Sequence, residues 1–234
     1  MSAYLRIFDD FLSLFYPRLC LSCSRNLPYK QDSICVHCQY YFPKTNYHLE
    51  KENDFTERFW GRLPLESGTA LYHFSKGGRI QQLIHKLKYE HKPEIALKLG
   101  RTYGKVLLQS PVFQGIELIL PVPLHPRKEK KRGFNQSAYF AKGLSESMQR
   151  PWNGRLLLKV EDTGSQTRKT RLERFQNVEN TFEVRQADKV AGKRILLVDD
   201  VLTTGATLEA CALTLLKIPN VKISMATIAI TSNV

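Results

Sequence analysis

The chain has 234 residues, with 35 lysines and arginines against 22 aspartates and glutamates, a formal net charge of +13. That length suits one α/β domain with a small appendage, and the basic excess favours a polyanionic or phosphorylated partner. No apolar stretch approaches the length of a membrane span, which excludes an integral helical membrane protein.

Residues 1–18 carry Asp9 and Asp10 within their apolar part and lack a small-residue cleavage site, so they make a poor signal peptide. Tyr4 to Phe15 reads as an amphipathic helix of a cytoplasmic protein. The alternative is a helix lying on the inner membrane, against which the two acids count because they disfavour anionic lipid. Cys20 and Cys23 are followed by Cys35 and Cys38, two CxxC pairs with 11 residues between them. Four thiolates so spaced can surround a tetrahedral zinc ion, and thiols in a reducing compartment do not persist as disulfides. Structural zinc is therefore expected over residues 19–45, with redox CxxC chemistry as the rival and His37 exposed rather than ligating. So small a region cannot bury a core of its own, which leaves most of its folding energy to the metal.

Residues 46–68 are polar and mixed and read as a linker, with Phe55, Phe59 and Trp60 as anchors. A larger domain, 69–234, opens with a strand at TALYHF. Apolar residues at Ile80, Leu83, Ile84 and Leu87 have helical spacing over Arg79 to Tyr89, and a second helix runs from Pro93 to Gln109 with proline in its first turn. A buried strand, Glu117 to Val122, leads into PVPLHPRKEKKRGFNQS, where three prolines in six positions fix an irregular loop. Arg127, Lys128, Lys130, Lys131 and Arg132 then form a cationic run, read either as a solvated face or as a phosphate contact. A helix from Asn135 to Gln149 could add an anion contact at its first turn.

A strand at Arg155 to Val160 precedes a polar segment rich in cations, Arg168, Lys169, Arg171 and Arg174. Its composition fits a loop that closes over a reactive site, and equally one that tracks a nucleic-acid backbone. Phe134, Tyr139 and Phe175 could stack on bases there, although such residues more often pack in a core. Cys211 reads as a buried thiol.

The chemistry concentrates in Arg194 to Leu208, RILLVDDVLTTGATL. Ile195 to Val198 is a continuous apolar run, as in a parallel strand buried on both faces, and Asp199 and Asp200 close it. Thr203, Thr204, Gly205, Ala206 and Thr207 make a small-residue turn before a helix from Leu208 to Lys217. In open parallel sheets ligands bind beyond the carboxyl ends of the strands, and a helix N-terminus there accommodates phosphate. Carboxylates repel phosphate but accept hydrogen bonds from a sugar's vicinal hydroxyls or hold hydrated Mg²⁺. The parts together describe a ribose 5-phosphate cradle; an ordinary strand with an acidic turn is the plain alternative.

VDDVLTTGAT resembles the phosphoribosyl pyrophosphate (PRPP) motif of type I phosphoribosyltransferases. With KYEHKPEIALKLG, PVPLHPRKEKKRGFNQS, QTRKTRLERFQNV and the double CxxC, the chain over residues 20 to 217 resembles the ComF family, competence-related proteins similar to amidophosphoribosyltransferases. Glu90, His91 and Lys92 depart from the glycine that many relatives carry after the KY pair. The resemblance implies a type I phosphoribosyltransferase-like α/β fold, a mainly parallel sheet with flanking helices, and a small N-terminal zinc-binding region. It implies that Asp199 and Asp200 hold the ribose hydroxyls as the catalytic pair and that Thr203 to Thr207 hold the 5-phosphate. Pro121, Val122, Pro123, Leu124 and Arg127 would take the pyrophosphate, with magnesium accompanying PRPP. Natural transformation is the implied setting. There the cationic loops and zinc region would bind internalised single-stranded DNA, in company with an uptake helicase and other competence proteins. Two alternatives stand beside this reading: an active Mg²⁺-dependent phosphoribosyltransferase acting on an unknown acceptor, and a non-catalytic PRPP sensor.

Overall fold

Four parallel strands, β1 (Leu65–Phe74), β2 (Leu118–Pro121), β5 (Arg194–Leu202) and β6 (Lys222–Thr231), make the central sheet in the order β1-β6-β5-β2. A separate antiparallel pair joins β3 (Leu157–Lys159) to β4 (Phe182–Val184). The computed structural model describes residues 18–28, 33–160 and 181–232. The expected helix from Tyr4 to Phe15 and the segment bearing Arg168, Lys169, Arg171, Arg174 and Phe175 lie outside the described residues.

β5 owes its central place to its composition. Ile195, Leu196, Leu197 and Val198 are all 0% exposed, as an unbroken apolar run demands when both faces are covered. Successive side chains enter opposite layers. Leu196 and Val198 pack with Leu83, Leu99 and Phe140 on one side, while Ile195 and Leu197 pack with Leu208 and Leu215 on the other. The strand does not stop at the acids. Pairing with β6 continues from Asp199↔Thr227 to Leu202↔Ile230, so the two carboxylates are embedded in the strand rather than beyond it. β6 itself, which the sequence reading leaves without an element, is buried along almost its whole length.

Seven helices are described: α1 (Val36–Tyr41), α2 (Asp54–Glu57), α3 (Arg79–Tyr89), α4 (Pro93–Gln109), α5 (Pro126–Arg132), α6 (Gln136–Met148) and α7 (Ala206–Leu216). α3 and α4 begin and end where periodicity and the N-terminal proline place them. α4 crosses α6 at a seam of small residues. A Cβ on Gly100 would stand 2.9 Å from Gly143 Cα, and one on Gly104 would stand 2.8 Å from Ser147 Cβ. The backbones can approach this closely only because no side chain intervenes.

Two expectations change at the N-terminal side. Residues 46–68 are packed rather than serving as a linker. Asn53 caps α2 in a reciprocal capping box with Thr56, Phe55 and Phe59 are 0% exposed in the same apolar layer as α7, and β1 already begins at Leu65. The cysteine region also has a core, borrowed from its neighbour. Leu21, Ile34 and Phe42 belong to the layer that contains Leu71, Tyr72 and Ile80, so apolar packing adds to whatever stability a bound metal would supply.

Candidate functional site

The two adjacent acids of β5 are oriented by the first turn of α6. Ser137 Oγ donates to Asp199 Oδ1 at 2.7 Å, and Gln136 Nε2 donates to Asp200 Oδ2 at 2.9 Å. Asn135, the N-cap of α6, receives Ser137 N–H on Oδ1 and donates from Nδ2 to the Val122 carbonyl at 3.0 Å. This ties the segment after β2 to the acids. The GFNQS run is thereby explained: Gly133, at φ +81°, ends α5 in a left-handed turn, Phe134 enters the core, and the next three side chains organise the site. The first turn of α6 thus presents its side chains to protein carboxylates at the edge of the crevice. Phe134 is 7% exposed, with its ring edge-on to Tyr139 at 5.7 Å, so it is a core residue and not a stacking platform.

Lys88 completes the setting of the acids. Its Nζ lies 2.8 Å from Asp200 Oδ2, giving that buried carboxylate a cation as well as an amide donor. Asp199 is half-buried and, among the described residues, has no such counter-ion at hydrogen-bond distance. Burial, reinforced by the neighbouring Asp200 carboxylate, pushes its carboxyl up to about 7, against the opposing pull of the Ser137 hydroxyl. The pair thus has unequal members, one neutralised by lysine and one poised to titrate.

Both acids and Thr207 line a crevice of about 170 Å³ together with Val122, Pro123, Leu124, Lys128, Ser137 and Lys159. Asp199 also borders the hollow of the turn Thr203 to Thr207. Gly205 takes φ +82° at the cap of α7, a conformation an L side chain adopts only with strain. Pro121 ends β2 as a buried residue, and Val122 N–H continues the ladder to the Val198 carbonyl at 2.8 Å. The irregular loop is correspondingly short, because Pro126 starts α5. Of the cationic run on that helix, Lys128 reaches the crevice, whereas Arg127, Lys130 and Lys131 are exposed and Arg132 hydrogen-bonds Gln136.

Residues outside the predicted set contribute as well. Lys88, Gln136 and Ser137 hold the acids, and from the packed 46–63 segment Arg58 donates to the Thr203 carbonyl while Arg62 pairs with Glu209 on α7. The three that bear on the acids lie in KYEHKPEIALKLG and PVPLHPRKEKKRGFNQS. Arg58 and Arg62 had no such signal, because their partners are about 145 residues away in sequence.

The cysteines converge as the spacing requires. All four Sγ atoms lie within 4.8 Å of one another, close to the separations that four zinc–sulfur bonds of ~2.3 Å impose. Cys35 N–H donates to Cys20 Sγ at 3.3 Å and Cys38 N–H to Cys35 Sγ at 3.4 Å. Although burial opposes it, this backbone N–H environment lowers the Cys20 thiol to about 6, while burial pushes Cys38 up to about 12. The donor set fits a tetrahedral thiophilic metal ion. His37 is exposed and contacts Arg79, and Cys211 is fully buried in the core. Among the described residues no helix is long and apolar enough to cross a membrane.

Residues 135–232 match the family model described as "Phosphoribosyl transferase domain". Competence protein F of Haemophilus influenzae is 26% identical over 204 residues, covering 83% of this chain and 89% of that protein. Competence protein ComFC of Bacillus subtilis is 25% identical over 202 residues, covering 86% of this chain and 78% of that protein. DNA utilization protein YhgH of Shigella flexneri is 33% identical over 141 residues, 59% of this chain. The alignment spans 61% of that relative's length. The chain thus carries a phosphoribosyl transferase domain match on a parallel sheet, joined to a four-cysteine cluster, and is similar to competence proteins along most of its sequence.

Proposed function

We propose that the chain serves natural transformation and DNA uptake, with a PRPP-type ligand bound across the crevice and single-stranded DNA held on its basic surface. The observation that carries the ligand reading is the placement of the Asp199–Asp200 pair beside the Thr203 to Thr207 turn at the carboxyl end of the central strand. In this reading Asp199 accepts from the ribose hydroxyls, the turn receives the 5-phosphate, and Pro123, Leu124 and Lys128 face the pyrophosphate. Arg127, in the first turn of α5, adds its charge to that pyrophosphate contact. Magnesium would arrive with the ligand's own oxygens, and its role is to screen their charge. Zinc in the four-thiol cluster is structural, since all four ligands are protein sulfurs and none is left open for chemistry.

The names of the relatives, competence protein and DNA utilization protein, support the biological role. The net charge of +13 supports a nucleic-acid partner, as do Tyr40 and Tyr41 on α1, 78% and 62% exposed. Arg168, Lys169, Arg171 and Arg174 remain part of the proposed contact, and the uptake helicase at the inner face of the membrane remains the proposed neighbour. Anisotropy of a labelled oligonucleotide at several salt concentrations tests this. Log affinity should fall steeply against log salt; binding indifferent to salt contradicts a phosphate-backbone contact.

A specific feature favours the catalytic alternative as well. A cavity of about 400 Å³ shares Pro123, Leu124, Asn135 and Lys159 with the crevice, leaving room for an acceptor beside the ribose. Mg²⁺-dependent release of pyrophosphate from PRPP with a nucleobase or amine present would establish transfer. Thermal stabilisation by PRPP without its consumption would establish sensing instead.

A further inference from the structure

Arg58, at the end of α2, reaches into the sheet's carboxyl edge. Its Nη1 donates to the Thr203 carbonyl and lies 3.4 Å from Thr231 Oγ1, while its Nη2 donates to the Thr231 carbonyl. Thr231 Oγ1 in turn donates to the Leu202 carbonyl at 3.3 Å. One residue further, the fully buried Phe59 packs under Gly205: a Cβ there would stand 3.0 Å from two of its ring atoms. Arg62 then forms a two-point ion pair with Glu209 in the first turn of α7. A single short segment therefore touches the turn at its beginning, its middle and the helix that follows.

The consequence lies in the peptide plane. In a trans peptide the carbonyl and the next N–H point in opposite directions. A guanidinium that fixes the Thr203 carbonyl toward α2 therefore aims the Thr204 N–H away from α2. A free turn of threonines and glycine would sample many such orientations, and ordering them on binding would cost affinity.

We propose that Arg58 is a positioning residue for the Thr203 to Thr207 turn, fixing the Thr203–Thr204 peptide so that its N–H is already set for the phosphoryl group of a ribose 5-phosphate-type ligand. This inference rests on the reading of that turn as the 5-phosphate site. Arg58 acts through the backbone and touches no ligand. Phe59 and the Arg62–Glu209 pair hold the same turn from its other points of contact.

The test compares two probes on the full-length protein. Wild type, Arg58→Gln and Arg58→Lys are titrated calorimetrically with ribose 5-phosphate and, separately, with inorganic pyrophosphate. Arg58→Gln should weaken ribose 5-phosphate binding about tenfold or more while leaving pyrophosphate binding unchanged, and Arg58→Lys should recover part of the loss. If Arg58→Gln binds both probes as wild type does, the inference is overturned. An equal loss for both probes, following a drop in thermal stability, assigns Arg58 a general structural role and overturns it equally. Should wild type itself fail to bind ribose 5-phosphate, the phosphate-site reading falls first and takes this inference with it. If Arg58→Gln does not fold, Arg58→Lys decides: selective weakening of ribose 5-phosphate supports the proposal, and wild-type affinity for both probes overturns it.

Discussion

Lys88 Nζ and Asp200 Oδ2 stand 2.8 Å apart, joining the last turn of α3 to the second acid of β5. Removing the cation leaves a buried carboxylate with one amide donor from Gln136. Lys88→Met should destabilise the fold by about 2–3 kcal/mol, at the low end for a broken buried pair because a quarter of the lysine side chain meets solvent. The double variant Lys88→Met/Asp200→Asn should regain much of that loss in urea unfolding. A double variant no more stable than the single one would show that the pair is not coupled.

Asp199 gives the site a pH dependence. Its carboxyl, raised by burial and by Asp200 from 3.8 to about 7, keeps a proton in the folded chain that the unfolded chain loses. The group's contribution to stability is full below about pH 4 and disappears as the pH climbs through 7. Ligand binding has the opposite slope, since the ionised form is the better acceptor for ribose hydroxyls. Ribose 5-phosphate affinity should therefore rise between pH 6 and 8. Asp199→Asn should flatten the part of that slope due to the carboxyl and raise stability at pH 8, because its amide oxygen can still receive the Ser137 hydroxyl. Thermal melts and titrations at several pH values measure both.

Loss of the metal should be felt beyond the cysteine cluster. Since Leu21, Ile34 and Phe42 pack into the same layer as Leu71 and Ile80, chelation should lower the melting temperature of the whole chain. Losing about 4 kcal/mol of linkage, as for a metal at a thousand times its dissociation constant, corresponds to roughly 8–16 °C at this size. Metal analysis should find one zinc per wild-type chain and none in Cys38→Ser.

The seam between α4 and α6 tolerates no added volume. A Cβ on Gly143 would stand 2.9 Å from Gly100 Cα and press on the Leu97 carbonyl. Gly143→Ala should cost about 1–3 kcal/mol. Because the first turn of α6 holds both acids, the same change should weaken ligand binding. Denaturant unfolding and calorimetry on this variant check the two effects separately.

What the sequence makes legible is local chemistry. The apolar run before Asp199, the threonine-glycine turn, the paired CxxC spacing and the 3.6-residue pattern of α3 each depend on neighbours within a few positions. What it conceals depends on pairing at a distance. The continuation of β5 past the acids is enforced by β6, whose residues Thr227 to Ile230 lie more than 25 positions away. Phe55 and Phe59 look like anchors on a polar stretch, yet their burial is decided by α7 and β1. Gln136 and Ser137 look like ordinary first-turn residues until the fold brings them against the acids. The basic run on α5 divides for the same reason, since only the helix's orientation turns Lys128 toward the crevice.

Calorimetric titration of the full-length protein with PRPP and Mg²⁺ at pH 8, beside Asp199→Asn, decides whether the acid pair and the threonine turn form a PRPP-type site. Wild type should show saturable one-to-one binding, and the variant should lose about tenfold or more, the worth of one hydrogen bond to a charged acceptor. No binding by wild type, or undiminished binding by Asp199→Asn, would contradict it.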